Sequence, residues 1–264
     1  MSTGPRICVL DIETSPIEAY VWGLWDQNIG LEQIKQDWTI ISFCVKWLGE
    51  KELVYEDTGG RGVGKVRDDR KLLKQLWQIL DDADIVVAQN GRNFDIKKIN
   101  ARLIQHGYTP YSPIKIVDTL EAAKKHFGFT SNKLAYLSSK LARTRKYEHK
   151  EFPGFELWKE CLADNPKAWA VMRKYNPLDV ISTAEVYEAM RPWITSHPNH
   201  GVYIQDKELR CPKCGSKSLQ RRGYSATMLN TYPRFQCQDC HGWLRGKQTE
   251  LPRDIRKALL TNIV

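Results

Sequence analysis

The sequence lacks any apolar run near the roughly 18 residues that a membrane-spanning helix needs. It also lacks a positively charged start followed by a cleavable apolar segment, and it contains no internal repeat or low-complexity tract. These absences predict a globular cytoplasmic protein with no membrane partner. In that reducing compartment we expect the seven cysteines to be free thiols or metal ligands and not disulfides.

Positive charge is concentrated near the C-terminus. The whole chain of 264 residues has a formal net charge of +9, and residues 206–247 contribute nine bases against three acids. A chain of this length can bury one large core and one small extra module. A basic module of this kind suits contact with phosphate, although a merely solvated basic surface is the alternative.

The apolar periodicity predicts an α/β fold with a mixed sheet flanked by helices. A mostly helical stretch runs to about residue 193, and the Pro- and Gly-containing stretch 191–201 predicts a linker. The other predicted elements are strands over 7–12, 39–47, 52–56, 84–88 and 114–117, and helices over 69–80 and 95–106.

Acidic residues follow several of these elements. Asp11 and Glu13, two positions apart on the first strand, project from the same face and favour a divalent cation between them. Asp95 opens a helix after a buried strand, where an N-cap is the alternative interpretation. Tyr175 and Asp179 form a third cluster, in which a packed aromatic is the alternative for the tyrosine.

Taken in chain order, three motifs resemble those of the DEDD superfamily of 3′–5′ exonucleases, which have a ribonuclease-H-like fold. They are Asp-x-Glu at 11–13, Asn-Gly-x-x-Phe-Asp at 90–95 and Tyr-x-x-x-Asp-Val at 175–180. The tyrosine is similar to the branch that includes polymerase proofreading domains and their stand-alone relatives. The resemblance covers roughly residues 5–195.

The resemblance implies two Mg²⁺ or Mn²⁺ ions, for which hard oxygen ligands are suited. It implies that Asp11 bridges both ions, that Glu13 and Asp179 hold the water-activating one, and that Asp95 holds the other. Tyr175 would orient the attacking water. The resemblance places two more residues, Thr14 and Asn90, against the terminal nucleotide. Separately, a run of bases predicts a path for the substrate backbone or a solvated surface: Lys140, Arg143, Arg145, Lys146 and Lys150.

Two local predictions accompany this site. Pro177 cannot sit inside a helix without a kink, so we expect a helix with Asn176 as N-cap and Tyr175 just outside it. Asp118 is expected to cap a helix and not to bind metal.

The Gly-rich loop 59–64 resembles the start of a phosphate-binding P-loop, but Val66 replaces the required Ser or Thr, which favours a mobile loop.

Two Cys-x₂-Cys pairs predict one tetrahedral Zn²⁺ site. The four ligands are Cys211, Cys214, Cys237 and Cys240, with 22 residues between the pairs. The remaining cysteines, Cys8, Cys44 and Cys161, lie in apolar surroundings and are expected in the core.

The sequence around these cysteines resembles that of zinc ribbons in transposases and other DNA-handling proteins. Bases interleave with aromatic residues here, which favours contacts to nucleic acid through Arg221, Arg222, Arg234 and Arg245. A purely structural clip or a protein-contact module is the alternative.

Together these features predict a 3′–5′ exonuclease acting on nucleic acid, DNA more than RNA. The predicted organisation is an exonuclease domain over 1–195, a linker over 196–206, a zinc ribbon over 207–247 and a tail over 248–264. Two alternatives are a non-catalytic nucleic-acid-binding protein with a degenerate nuclease fold and a structure-specific endonuclease.

Overall fold

A computed structural model describes residues 4–145, 147 and 149–263. The chain forms two compact units, one over Arg6–Ala189 and one that contains the chain from Met190 onward together with its start. None of the helices in the described part of the chain combines the length and apolar character that a membrane span requires.

The first unit alternates strands and helices after an initial antiparallel group. Its strands are β1 (Ile7–Thr14), β2 (Glu18–Ala19), β3 (Ile34–Gln36), β4 (Ile40–Trp47), β5 (Leu53–Asp57), β6 (Ile85–Ala88) and β7 (Lys115–Asp118). Its helices are α1 (Arg70–Asp82), α2 (Asp95–Gln105), α3 (Thr119–His126), α4 (Leu134–Leu141), α5 (Glu156–Leu162) and α6 (Pro166–Met190).

Five of these strands form one mixed sheet in the order β5-β4-β1-β6-β7. Strand β1 lies at the centre, antiparallel to β4 and parallel to β6, and β6 continues parallel to β7. The predicted mixed sheet is confirmed, and the predicted strands coincide with the observed ones to within two residues at each end.

Helices cover both faces of the sheet, because β1 and β4 alternate their side chains between two cores. On one face Leu10 and Phe43 pack with the apolar stripe of α1 and with α2. On the other face Ile41 packs with α5 and α6, including the fully buried Trp169. The flanking helices predicted from the sequence are therefore confirmed.

A two-stranded hairpin that the sequence analysis did not predict joins β1 to β4. Strands β2 and β3 form its base, and Arg67 fixes this base by donating to Ser15 Oγ at 2.8 Å and Glu18 Oε1 at 2.6 Å. The tip exposes large apolar side chains, with Trp22 98% and Trp25 83% exposed. The hairpin thus presents aromatic rings to solvent directly after the strand that carries Asp11 and Glu13.

The predicted helix start at Pro177 is wrong, because α6 continues from Pro166 to Met190 with Pro177 inside it. Proline removes one backbone hydrogen bond and crowds the preceding turn. Burial on both sides of the proline outweighs this local cost, since Tyr175, Asn176 and Asp179 are all at least 94% buried. Tyr175 is therefore a helical residue and shares a face of α6 with Asp179.

The Gly-rich loop is anchored by a carboxylate. Backbone amides of Gly60 and Gly62 donate to the two oxygens of Asp164 at 2.8 and 2.7 Å. Because these amides already bind an anionic side chain, the loop has an internal partner where a P-loop would hold phosphate.

The second unit is built around a small antiparallel sheet in the order β10-β9-β8. Its elements are α7 (His200–Ile204), β8 (Leu219–Ala226), β9 (Thr231–Cys237), β10 (Trp243–Arg245) and α8 (Arg253–Lys257). Helix α7 lies within the predicted linker, and the amide of His200 donates to Pro212 O at 2.9 Å beside the first cysteine pair.

Candidate active site and cysteine cluster

Three carboxylates converge where β1 passes α6. Alternation along β1 places Cys8, Leu10 and Ile12 in the core beneath α1 and α2, so Asp11 and Glu13 face the opposite side. Asp179 on α6 joins them. One oxygen from each of Asp11, Glu13 and Asp179 lies within 4.8 Å of the others, a spacing that a divalent cation with oxygen ligands can bridge.

Asp95 is not a member of this group of three. It is 2% exposed at the start of α2, and its Oδ1 accepts a hydrogen bond from the Ile12 amide at 3.0 Å, between the two acids of β1. Burial raises the pKa of Asp95 to about 7; its bonds to backbone amides oppose this shift, and the charge of Asp118 adds to it. Because burial makes this carboxyl group costly to ionise, a nearby cation would stabilise its ionised form.

Tyr175 lies beside the three carboxylates and is 6% exposed. Burial, followed by the negative charges of Glu13, Asp179 and Asp11, raises the pKa of Tyr175 well above its usual value. The phenol therefore keeps its proton at neutral pH. It can donate a hydrogen bond, but it cannot serve as an anionic base.

Two aromatic residues that the sequence analysis missed complete the wall of the site. Trp158 on α5 donates from Nε1 to Glu13 Oε2 at 3.1 Å. His149 packs edge-to-face against both Trp158 and Tyr175, with ring centroids 5.8 and 5.3 Å away. Trp158 and Tyr175 also meet edge-to-face at 5.9 Å, so the three rings form a mutually packed cluster.

A buried amide that the sequence analysis assigned to helix capping contacts the site directly. Asn176 is 0% exposed, and its Nδ2 donates to Asp11 Oδ2 at 2.5 Å. Its Oδ1 accepts from Ser42 Oγ at 3.3 Å. No sequence motif pointed to Ser42, which lies opposite Glu13 in the β1–β4 register.

Asp118 is confirmed as a helix cap. Its carboxylate accepts from the backbone amides of Leu120 and Glu121 in the first turn of α3. It also accepts from the amides of Asn90 at 3.0 Å and Arg92 at 3.1 Å. Asp118 thus holds the loop that leads to Asp95, in which Asn90 has the left-handed φ of 63°.

Thr14 is the last residue of β1 and pairs with Ile40 just beyond a bulge. Thr14 ends the strand that carries Asp11 and Glu13, and Asn90 lies two residues after the end of β6. Their predicted contact with a terminal nucleotide stays a prediction.

A cavity of about 560 Å³ adjoins the aromatic cluster through His149. Two of the predicted substrate-path residues, Arg145 and Lys150, line it together with Tyr147. Other members of that basic run lie elsewhere: Lys140 packs over the ring of Tyr136, and Arg143 lines a separate cavity with Glu185 and Glu188. Lys146 lies outside the described residues.

The four predicted zinc ligands meet in the second unit. One sulfur from each of Cys211, Cys214, Cys237 and Cys240 lies within 4.8 Å of the others. The pairs Cys211–Cys240 and Cys214–Cys237 are each 3.6 Å apart, too far for a disulfide. Four thiolates about 2.3 Å from one zinc ion are about 3.8 Å apart, so the cluster fits a tetrahedral Zn²⁺.

The other three cysteines are buried in the first unit, as predicted. Burial raises the pKa of each of these thiols to about 12, so they stay protonated at neutral pH: Cys8, Cys44 and Cys161.

Three of the four predicted nucleic-acid-binding arginines share one face of the second sheet. Arg222 and Arg234 lie over the ring of Trp243 at 5.6 and 5.0 Å. Arg245 is directly opposite Arg234 in the β9–β10 register. Like charges directly opposite each other are destabilising unless an anion lies between them.

Arg221 is placed differently from the other three. It pairs with Phe235 in the β8–β9 register, and its guanidinium forms an ion pair with Glu250 at 2.6 Å. Because Phe235 and Arg234 are neighbours on β9, this register places Arg221 on the opposite face of the sheet from Arg234, and Glu250 neutralises its charge.

Comparison with known families identifies the first unit. The RNase H superfamily profile matches residues 8–191, which include all the converging acids. The chain belongs to the RNase H superfamily. This nuclease fold implies a nucleic-acid substrate. The three converging carboxylates described above fit divalent metal ions.

A solved structure with the same fold is the family B DNA polymerase from the hyperthermophilic archaeon Pyrobaculum calidifontis. The likeness has a TM-score of 0.51 at 15% sequence identity and covers 72% of this chain. It covers 26% of the polymerase, so this RNase H superfamily chain corresponds to a minor part of that protein. No curated protein matches the chain.

Proposed function

We propose that this protein is a metal-dependent 3′–5′ exonuclease that removes nucleotides from nucleic acid, DNA more than RNA. The observation that carries the proposal is the convergence of Asp11, Glu13 and Asp179 within 4.8 Å, with a protonated Tyr175 beside them. The match of this region to the RNase H superfamily supports a nuclease chemistry.

The chemistry expected of this site follows from its charges. Divalent cations, when bound, would activate a water molecule and neutralise charge on the leaving oxygen. We propose that Asp11, Glu13 and Asp179 would hold the ion that activates water, and that Asp11 and Asp95 would hold a second ion. Tyr175 keeps its proton and is suited to orient the attacking water as a hydrogen-bond donor.

The substrate strand is proposed to enter through the cavity beside His149. Arg145 and Lys150 supply positive charge there, and Tyr147 and His149 offer rings on which bases can stack. Thr14 and Asn90 are proposed to contact the terminal nucleotide, because Thr14 directly follows Glu13 on β1 and Asn90 lies in the loop that leads from β6 to Asp95.

Two alternatives make different predictions. A degenerate, non-catalytic nuclease fold would lack part of the acidic set, yet Asp11, Glu13 and Asp179 are present and meet. A structure-specific endonuclease would cut a substrate without a free 3′ end. Product analysis separates it from an exonuclease.

The test uses 5′-labelled single-stranded DNA and RNA with Mg²⁺, with Mn²⁺ or with EDTA. We expect a ladder of products shortened from the 3′ end. The ladder should require metal, and it should be absent when the 3′ terminus is blocked. Asp179→Asn removes the charge of one proposed metal ligand and should abolish the ladder, whereas Asp82→Asn, which alters an exposed carboxylate at the end of α1, should leave it unchanged. Cutting of circular DNA would favour the endonuclease instead.

The cysteine cluster and the arginine face beside it are proposed to form a zinc ribbon that grips nucleic acid. Three arginines would contact phosphates: Arg222, Arg234 and Arg245. The ring of Trp243 would stack on a base. Arg221, held by Glu250, is proposed to contribute less than the other three.

Salt dependence tests this grip. Arg234→Gln should lower the slope of log K against log salt by about one, as the loss of one phosphate contact does, and Arg221→Gln should lower it less. Equal slopes for the wild type and both variants would indicate a structural or protein-contact role for the ribbon.

We retain as proposals the domain boundaries at 1–195, 196–206, 207–247 and 248–264 and a cytoplasmic location. Limited proteolysis tests the boundaries, with cleavage expected between residues 190 and 210.

A further inference from the structure

The side chain of Asn176 joins α6 to both strands that frame the acidic cluster. Its Nδ2 lies 2.5 Å from Asp11 Oδ2 and 3.4 Å from Asp11 O, and its Oδ1 lies 3.3 Å from Ser42 Oγ. Asn176 and Ser42 are both 0% exposed. We infer that Asn176 is a positioning residue that fixes the Asp11 carboxylate for metal binding.

Chemistry fixes the orientation of this amide. The carboxylate and the backbone carbonyl of Asp11 are acceptors only, so the NH₂ end of Asn176 must face Asp11. The opposite end is then an acceptor, and the Ser42 hydroxyl can satisfy it as a donor. The three residues form a chain of hydrogen bonds in which Ser42 donates to Asn176 and Asn176 donates to Asp11.

The neutrality of the amide distinguishes it from other donors. A lysine or arginine at this position would hold Asp11 equally well, but its charge would compete with a cation for the carboxylate. Asn176 donates to Asp11 Oδ2 without cancelling the negative charge of the carboxylate, so that charge can still attract a cation. Donors behind metal ligands typically contribute a 10- to 100-fold effect on metal affinity.

This inference rests on the metal site proposed above, and the experiment separates the two. Isothermal titration calorimetry of the zinc-loaded chain of 264 residues with Mn²⁺ gives the affinity, and the melting temperature of each variant without Mn²⁺ gives its stability. Absence of saturable Mn²⁺ binding by the wild type would overturn the proposed metal site and this inference with it.

The first variant is Asn176→Leu, which keeps the branched shape of the side chain and removes both polar ends. We expect its Mn²⁺ affinity to fall about 10- to 100-fold. Wild-type affinity in a folded Asn176→Leu protein would overturn the positioning role while leaving the metal site intact.

The second variant is Ser42→Ala, which leaves the Asn176 donor in place but removes the hydroxyl that holds it. Its Mn²⁺ affinity should fall several-fold, and it should have no further effect when added to Asn176→Leu. If Asn176→Leu does not fold, Ser42→Ala decides the question, because a wild-type Mn²⁺ affinity in Ser42→Ala would then refute the inference. Ser138→Ala is the matched control, since Ser138 is an equally buried serine that donates to Ala135 O within α4.

Discussion

Replacement of Trp158 by phenylalanine tests whether the aromatic wall acts on the metal site. The indole Nε1 donates to Glu13 Oε2 at 3.1 Å, and the ring packs edge-to-face against His149 and Tyr175. Phenylalanine keeps an aromatic ring at this position but removes the donor together with the second ring of the indole. A matched Trp→Phe change elsewhere loses the same atoms, so comparing the two variants separates the hydrogen bond to Glu13 from the loss of ring atoms.

The expected size follows from the kind of bond that is lost. A hydrogen bond to a charged group contributes roughly 1.5–3 kcal/mol, and about 1.4 kcal/mol corresponds to a factor of ten. Without its donor, Glu13 has more rotational freedom and one fewer partner before metal binds. We expect kcat/KM at low Mn²⁺ to fall roughly ten- to a hundredfold.

The assay is single-turnover cleavage of a 5′-labelled oligonucleotide across a range of Mn²⁺ concentrations. If Trp158 acts through Glu13, the variant needs more Mn²⁺ for half-maximal activity and recovers most of its rate at saturation. Trp77→Phe is the control, because Trp77 Nε1 donates to Thr109 O at 2.8 Å away from the carboxylates.

A Trp158→Phe protein with the wild-type Mn²⁺ dependence would refute this reasoning. So would an equal loss in Trp77→Phe, because that result would assign the effect to general destabilisation.

Three further changes have expected outcomes. Gly91→Ala should destabilise the protein by about 1–3 kcal/mol in urea unfolding, since its Cβ would lie 2.3 Å from Ala88 Cβ; an unchanged midpoint would contradict this contact. Burial lowers the pKa of His197 from 6.5 to about 4, so stability present above pH 6.5 is lost as pH falls toward 4. His197→Asn should reduce this loss of stability by roughly 2 kcal/mol in a pH series of unfolding curves. A variant whose stability falls with pH as steeply as that of the wild type would rule out the assignment. Cys214→Ser should release zinc, as measured by atomic absorption, whereas Cys161→Ala should retain it.

The sequence was sufficient to predict the main sheet and the acids of β1. Strand β1 alternates Leu10 and Ile12 with Asp11 and Glu13, and a two-residue period has a direct structural meaning. The cysteine pairs were equally direct, because two ligands separated by two residues restrict the geometry to a few metal sites.

The second layer of the site could not be predicted, because it depends on pairs that are distant in the chain. Trp158 is 145 positions from Glu13, and Asn176 is 165 positions from Asp11. Tryptophan and asparagine have many ordinary structural roles, and no local period distinguishes these two. Only the packing of α5 and α6 against β1 brings them to the acids.

Local rules also failed where tertiary burial outweighed them. Pro177 predicted a helix end, but the buried residues around it keep α6 continuous. The apolar residues of the β2–β3 hairpin carry no periodic pattern that separates an exposed tip from a core segment, so Trp22 and Trp25 could not be assigned to the surface.

The arginines show the same limit at a finer scale. Composition placed Arg221, Arg222, Arg234 and Arg245 in one class, whereas strand register and Glu250 separate Arg221 from the rest. Register follows from which residues pair across strands, and charge counts contain no information about pairing.

The most direct test of the account is an anomalous-difference map from crystals of the protein soaked in Mn²⁺. We predict peaks bounded by the carboxylates of Asp11, Glu13 and Asp179, and their loss in crystals of Asp11→Asn. A map with no peak at these carboxylates at saturating Mn²⁺, or a peak that persists unchanged in Asp11→Asn, would contradict the proposed metal site.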